Sequence, residues 1–265
     1  MFCPPDYFSV EYKINPWMDP SIPVGCNLAQ KQWQDLVDVC KDLSLSVDFI
    51  QPVSDLFDMV FAANGFFSID KKAVVSRFRY SERQGETKFY KQWLKDNDFE
   101  VIDPKTIVYE GQGDTLLVED VILQGYGFRS DREITKLLSN EFPNKKVIPL
   151  RLVDERFFHL DICCFPINRE LVYFYDKAFD QKSVHTIKKY FKNAVAVSDE
   201  EALSFALNSV ALDHTVITKT EAKRFSDRLS AQGFNVIELD MSEFIKSGGA
   251  VKCLTNELWE ENKIG

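Results

Sequence analysis

Residues 183–240, SVHTIKKYFKNAVAVSDEEALSFALNSVALDHTVITKTEAKRFSDRLSAQGFNVIELD, alternate between two hydrophobic periods, and that alternation decides the fold class. Ser183–Ala194 sets its apolar residues at helical spacing, whereas Ala194–Val197 reads as extended. Ser198 with Glu201 forms a capping-box pattern before a helix over Ala202–Ser209, since the hydroxyl and the carboxylate three residues on can each satisfy a free backbone N–H. Thr215–Lys219 is rich in β-branched residues and extended, Glu221–Ala231 is helical, and Gly233 stands where a glycine commonly ends a helix. Asn235–Asp240 is extended again. Helix and strand in succession predict an α/β protein.

The rest of the chain follows the same grammar less sharply. Asn27 is placed to cap a helix whose apolar face is Ala29, Trp33, Leu36, Val37, Cys40 and Leu43. Leu45, Val47 and Phe49 alternate as a strand ending near Pro52. Ala73–Phe78, Ile107–Tyr109, Thr115–Leu123, Lys146–Leu152 and Phe157–Phe165 read as further strands, and Phe89–Leu94 as a short helix. With no low-complexity stretch and no Pro-, Gly- or Ser-rich linker, residues 1–265 are expected to form one domain.

Composition narrows the function classes. At 45% hydrophobic residues with 22 phenylalanines, the chain can fill a substantial core. A net charge of −9 disfavours a nucleic-acid partner. No stretch approaches the roughly 20 apolar residues of a membrane span, and the first residues lack the basic and apolar regions of a secretory signal. The six cysteines form no CxxC pair, which suits neither a zinc site nor a simple disulfide framework and points to a reducing, cytoplasmic setting.

Three features could carry chemistry. In FFHLD, His159 and Asp161 share a face if the segment is a strand, so an imidazole could shuttle protons beside a carboxylate; a buried structural histidine reads the same way. In SGGAVKCLTNEL, Cys253 follows two glycines that permit close backbone approach; it suits a nucleophile or an inert buried thiol equally. In EGQGD, Glu110 and Asp114 flank a glycine-rich turn that could aim carboxylates into a cleft, or be an ordinary acidic turn. A thiol, an imidazole and acids together suit a flat cation: a guanidinium offers five N–H donors in a fork that carboxylates match.

INPWM, FDMVFAANGFF, ERQGE, EGQGD, GYGFRSDRE, FFHLD and SGGAVKCLTNEL, in this order, resemble the guanidine-modifying enzymes. That superfamily includes arginine deiminase, dimethylarginine dimethylaminohydrolase, glycine amidinotransferase and the cyanobacterial-type arginine dihydrolase. The resemblance spans residue 11 to about residue 258. It implies the pentein fold, an α/β propeller of five ββαβ-type modules around a pseudo-fivefold axis with the active site in its central channel.

Residue by residue, the resemblance implies Cys253 as nucleophile, His159 as general acid/base, Glu110 as its acid partner and Asp161 as the grip on the guanidinium. Arg83 and Arg129 match positions that hold the substrate α-carboxylate, and Asn15 and Asp114 are further substrate-binding candidates. Deiminases and dimethylaminohydrolases have Asp where this chain has Asn64. The dihydrolases resemble this chain there and at Asn15, and release ornithine, two ammonia and carbon dioxide from arginine. A neutral amide can hydrogen-bond both guanidinium and the ureido group of citrulline. The expectation is therefore arginine dihydrolysis through a covalent thiouronium. It needs no metal or organic cofactor, because the substrate supplies the electrophile. The only partner expected is a small molecule, with self-assembly left open. Arginine deimination and methylarginine hydrolysis are the rivals, and an amidinotransferase or a non-catalytic pentein binding module are more distant ones.

Overall fold

Each of four three-stranded sheets repeats one pattern: an antiparallel hairpin, a helix, and a third strand parallel to the second. The computed structural model describes residues 1–260. A helix, α1 (Cys26–Asp42), precedes the first sheet. That sheet pairs β1 (Phe66–Ile69) with β2 (Lys72–Val75), crosses through α2 (Ser81–Gln84) and α3 (Thr87–Asp96), and returns as β3 (Glu100–Ile102). The second joins β4 (Thr115–Val118), β5 (Val121–Tyr126), α4 (Ile134–Glu141) and β6 (Lys146–Arg151). The third joins β7 (Cys164–Pro166), β8 (Leu171–Phe174), α5 (Gln181–Tyr190) and β9 (Asn193–Ala196). After α6 (Asp199–Leu203), the fourth joins β10 (Val210–Leu212), β11 (Thr215–Lys219), α7 (Lys223–Ala231) and β12 (Asn235–Leu239). Two short helices, α8 (Ser242–Ile245) and α9 (Val251–Leu254), follow.

The helices amphipathic in sequence bury the stripe they should. α1 turns Ala29, Trp33, Leu36, Val37 and Cys40 inward. Its cap is Gly25 rather than Asn27, which lies inside the first turn; the Gly25 N–H is taken by the Glu243 carboxylate, so a distant acid replaces the local cap. At α6 the capping box forms as read, Ser198 and Glu201 satisfying each other. The helix then stops at Leu203, well short of Ser209, where Phe205 takes a left-handed φ of 58°. The hydrophobic density past Leu203 feeds the core through a turn instead.

Three expected strands shrink or vanish. Residues 45–49 keep only a bridge from Phe49 to Phe2, and residues 107–109 only one from Tyr109 to Arg77. Residues 157–165 become two 3₁₀ turns, Glu155–Phe157 and Leu160–Ile162, before β7. Near the chain ends, the Phe2–Phe49 bridge is parallel across α1, and the Met1 N–H and Asn256 N–H each bond the other's carbonyl. No helix among the described residues is long and apolar enough to cross a membrane.

Candidate active site

Short turns and one-turn helices gather the chemistry. The turn at Gly111–Gly113 packs on both the turn at Ala62–Gly65 and the turn at Leu160–Ile162, and α9 packs on Ala62–Gly65. The two glycines of EGQGD make this approach possible. Gly111 has φ 54°, and a Cβ there would meet the Ala63 carbonyl at 2.7 Å. A Cβ on Gly113 would collide with the Asn64 amide and sit 3.1 Å from the His159 ring. The motif read as an acidic turn is thus a seat for two other site residues.

A small pocket opens where these turns meet. Asn15, Asn64, Arg83, Arg129, His159 and Cys253 all reach its wall. The thiol and the imidazole therefore face one cavity. Glu110 and Asp161 stand behind the wall, each bonded to a residue that lines it.

His159 is not on a strand. It is one extended residue between two turns, at φ −119° and ψ 155°. Asp154 accepts the Arg156 N–H at the first turn, and Asp114 accepts the Leu160 N–H at the second. Apolar side chains on both faces of the turns satisfy the core, which is why the segment mimics a buried strand in sequence. In place of a shared face, His159 Nε2 meets Glu110 Oε2 at 2.8 Å while Asp161 turns to Cys253. Burial opposes ionisation of Glu110, but the Arg129 guanidinium, 3.0 Å away, and the His159 bond outweigh it and hold the carboxyl well below the usual range. Burial lowers the His159 pKa to about 4 against the pull of Glu110. At neutral pH the pair is carboxylate and neutral imidazole, so Nε2–H donates to Glu110 and Nδ1 is left as a base.

Cys253 donates from Sγ to Asp161 Oδ2 at 3.2 Å. Burial, and then Asp161, push its thiol well above the ordinary value. Asp161 itself is raised to about 7, chiefly by burial, against the thiol bond and the Lys252 charge. Its other oxygen, Oδ1, is buried with no hydrogen-bond partner among the described residues, and so is Asn64 Nδ2. A donor is thus left open on Asn64, which lines the pocket with the thiol and His159, and an acceptor on Asp161 behind the thiol.

The raised Asp161 pKa fixes a sign. The folded state prefers the protonated acid, so this contribution is complete below about 3.8 and is lost as pH climbs through about 7. Asp161→Asn removes the titration. Its stability relative to the parent chain is expected to improve by on the order of 1–3 kcal/mol between pH 5 and pH 8. Thermal unfolding at the two pH values checks this; an equal gap at both would contradict it.

The arginines carry internal partners as well as facing the pocket. Arg83 forks onto Glu86 at 2.7 and 2.9 Å and donates to Asn64 Oδ1 at 2.7 Å. Arg129 bonds Glu110 and the Ile14 carbonyl, its guanidinium between the Tyr80 and Phe158 rings at 4.7 and 4.5 Å. Asn15 lines the pocket, but its amide ties Ser247 O and Trp17 N, pinning the INPWM loop over the Cys253 segment. Asp114, like Glu110 and Asp161, is not on the pocket wall; it accepts the Leu160 N–H, next to His159 in the chain. Cys163 donates to the carbonyls of His159 and Leu160, a packing role for one of the paired cysteines.

Two residues escaped the sequence reading. Asp58, in the quoted FDMV stretch, lines the pocket, its oxygens taken by Tyr12 and Ser247 hydroxyls. Asn208 touches the Cys253 sulfur at 3.1 Å. Nothing local marks Asn208, since a lone Asn before a strand reads as a turn residue. Among the described residues, no group of three or more His, Cys, Asp or Glu is placed to hold a metal ion.

Known proteins resemble this chain in sequence and in fold. The model of the eukaryotic N,N dimethylarginine dimethylhydrolase family matches residues 13–260. The N(G),N(G)-dimethylarginine dimethylaminohydrolase of Mycobacterium tuberculosis is 39% identical over 96% of this chain and 84% of its own. The bifunctional arginine dihydrolase/ornithine cyclodeaminase AgrE of a Nostoc species is 36% identical over 98% of this chain, which spans only 38% of AgrE. A crystal structure of the N-terminal domain of ArgZ, covalently bound to a reaction intermediate, superposes with a TM-score of 0.93 at 35% identity, covering 98% of this chain and 97% of that one. A family model running through every element of the pocket, with relatives more than a third identical over the aligned residues, settles the kinship: the chain belongs to the dimethylarginine dimethylhydrolase family, whose members hydrolyse amidine C–N bonds.

Proposed function

We propose that the chain works as one catalytic domain that hydrolyses the guanidinium group of L-arginine through Cys253, and that it goes on to hydrolyse citrulline, yielding ornithine, two ammonia and carbon dioxide. The observation that carries the second step is the orientation of Asn64. Arg83 can only donate, so the Asn64 oxygen must face it, and the amide N–H₂ is left as the free group. A free donor matches the carbonyl of a ureido group, which a carboxylate in the same place would repel. ArgZ and AgrE, named for arginine dihydrolase activity, are the relatives consistent with this reading.

The proposed course uses the pocket's own groups. Arg83 and Arg129 receive the substrate carboxylate, and Asp161 Oδ1 takes a guanidinium N–H. Neutral His159 accepts the thiol proton, and Glu110 stabilises the resulting imidazolium. The thiolate adds to the central carbon, His159 returns the proton to the departing ammonia, and a thiouronium remains on Cys253. His159 then deprotonates a water that attacks the same carbon, and the thiolate leaves. Citrulline held by the Asn64 donor enters a second round: ammonia leaves, a thiocarbamate remains on Cys253, water releases it as a carbamate, and the carbamate's C–N bond breaks to give ornithine and carbon dioxide.

The paired chain ends support the finer architectural reading. The Met1–Asn256 pair, α1 and the Phe2–Phe49 bridge repeat the order of the four sheets in rudimentary form, and we read them as the fifth module of a propeller.

Incubation with L-arginine and identification of every nitrogenous product tests the function. Ornithine and ammonia in a 1:2 ratio are expected; accumulating citrulline would overturn the second step, and methylamine release from methylarginines without arginine turnover would overturn the substrate.

A further inference from the structure

We propose that Asn208 is a catalytic residue of this site, the fixed N–H donor that stabilises the Cys253 thiolate. Resting on Cys253 as nucleophile, the proposal adds a residue from outside every motif that points to the chemistry.

The amide's orientation is forced. Asn208 Oδ1 lies 2.9 Å from the Ala250 N–H and 3.2 Å from the Cys253 N–H, and both of these groups can only donate. The oxygen must therefore face the α9 backbone. Nδ2 is turned the other way, 3.1 Å from the Asp161 carbonyl and 3.1 Å from Cys253 Sγ. One of its hydrogens goes to each. The Asp161 carbonyl can only accept, so it fixes the amide from the opposite side. Four contacts hold a side chain that is almost fully buried, and one of them is the reacting sulfur.

A donor locked onto sulfur acts differently on the two forms of the group. A neutral thiol gains little from it, whereas a thiolate gains a charge-assisted hydrogen bond. The charges around the sulfur make such a donor useful. Asp161 is in contact and opposes ionisation. His159, Asp58, Arg83 and Arg129 line the same pocket, and Glu110 stands behind His159. Lys252 is adjacent in the chain but directed at Gln112 and Glu257. On β11, which packs against α9, Lys219 is paired with Glu221. The nearest ionisable group thus opposes ionisation of the thiol, and Asn208 supplies a neutral donor that no titration removes.

The amide also has a plain structural role, since its oxygen pins the turn into α9. Asn208→Asp separates the two roles. The carboxylate keeps an oxygen for both backbone N–H groups; it gives up the bond to the Asp161 carbonyl and replaces the donor at sulfur with a group that holds the thiolate back whether it is ionised or gives up a proton. The rate of Cys253 alkylation by a haloacetamide, followed against pH in the folded protein, is the readout. In Asn208→Asp the midpoint is expected to move up by about one pH unit or more, with arginine turnover down about tenfold or more. A profile that superimposes on the parent's overturns the proposal and leaves Asn208 as a structural pin. Should Asn208→Asp not fold, Asn208→Ala carries the same readout: loss of the donor moves the midpoint up, and an unmoved midpoint overturns the proposal. Alkylation reports on the thiol alone. A parent chain inert toward arginine would count against the proposed function, whereas an unmoved midpoint counts only against Asn208.

Discussion

Cys253→Ser is expected to lower arginine turnover by roughly 10⁴-fold or more while leaving the fold intact. The hydroxyl is nearly the size of the thiol it replaces, so the buried contacts with Asp161 and Asn208 are retained in kind. Reactivity is what changes. A hydroxyl is a far weaker acid than a thiol, and neutral His159 beside Glu110 cannot drain its proton to a useful extent near neutral pH. Turnover assays with circular dichroism as a fold control check the prediction. A folded variant retaining a tenth of the parent rate would mean that the covalent route through this residue is wrong.

Asn64→Asp is expected to shift the product from ornithine to citrulline, with the second hydrolysis slowed by about 100-fold and the first largely preserved. The new carboxylate would still accept from Arg83 in place of the amide oxygen. Its second oxygen would face the substrate as an acceptor. A guanidinium, which only donates, gains from that change; a ureido carbonyl meets an acceptor and loses its partner. The effect is therefore one of discrimination between two substrates of similar shape, where unpaired polar groups cost most. Quantifying citrulline and ornithine over a time course with each amino acid as starting substrate decides it. Unchanged ornithine yield would show that Asn64 does not govern the second step.

How far the molecule can be read from its residues depends on the range of the forces involved. Thr215–Lys219 and Asn235–Leu239 match their expected bounds within a residue, because β-branched runs between turn residues are local signals. The capping box at Ser198 is local too. The failures share a cause. Residues 45–49 and 107–109 carry strand-like alternation but meet only a single bridging partner, and pairing is decided by distant segments. The Met1–Asn256 pair joins opposite ends of the chain and leaves no local trace.

The site divides in the same way. Cys253, His159 and Glu110 stand out because their motifs resemble a family, and the pocket brings the first two to one wall with Glu110 bonded behind. Asp114 shares the EGQGD motif with Glu110, yet the turn at Gly111–Gly113 sends the two carboxylates in different directions. Alternation at residues 159–161 placed imidazole and carboxylate on one face; the 3₁₀ turn gives each its own partner instead. Asn208 could not be found from sequence, since its role depends on backbone groups some 45 residues later in the chain.

The central claim is that a carbon taken from arginine spends part of each cycle bonded to sulfur at position 253. Quenching the protein in acid during turnover of arginine labelled at the guanidinium carbon, then measuring peptide masses, tests it most directly. The account predicts label on the peptide containing Cys253, fading as arginine is consumed. Rapid turnover with no labelled peptide, or with label on a peptide that lacks Cys253, would contradict it.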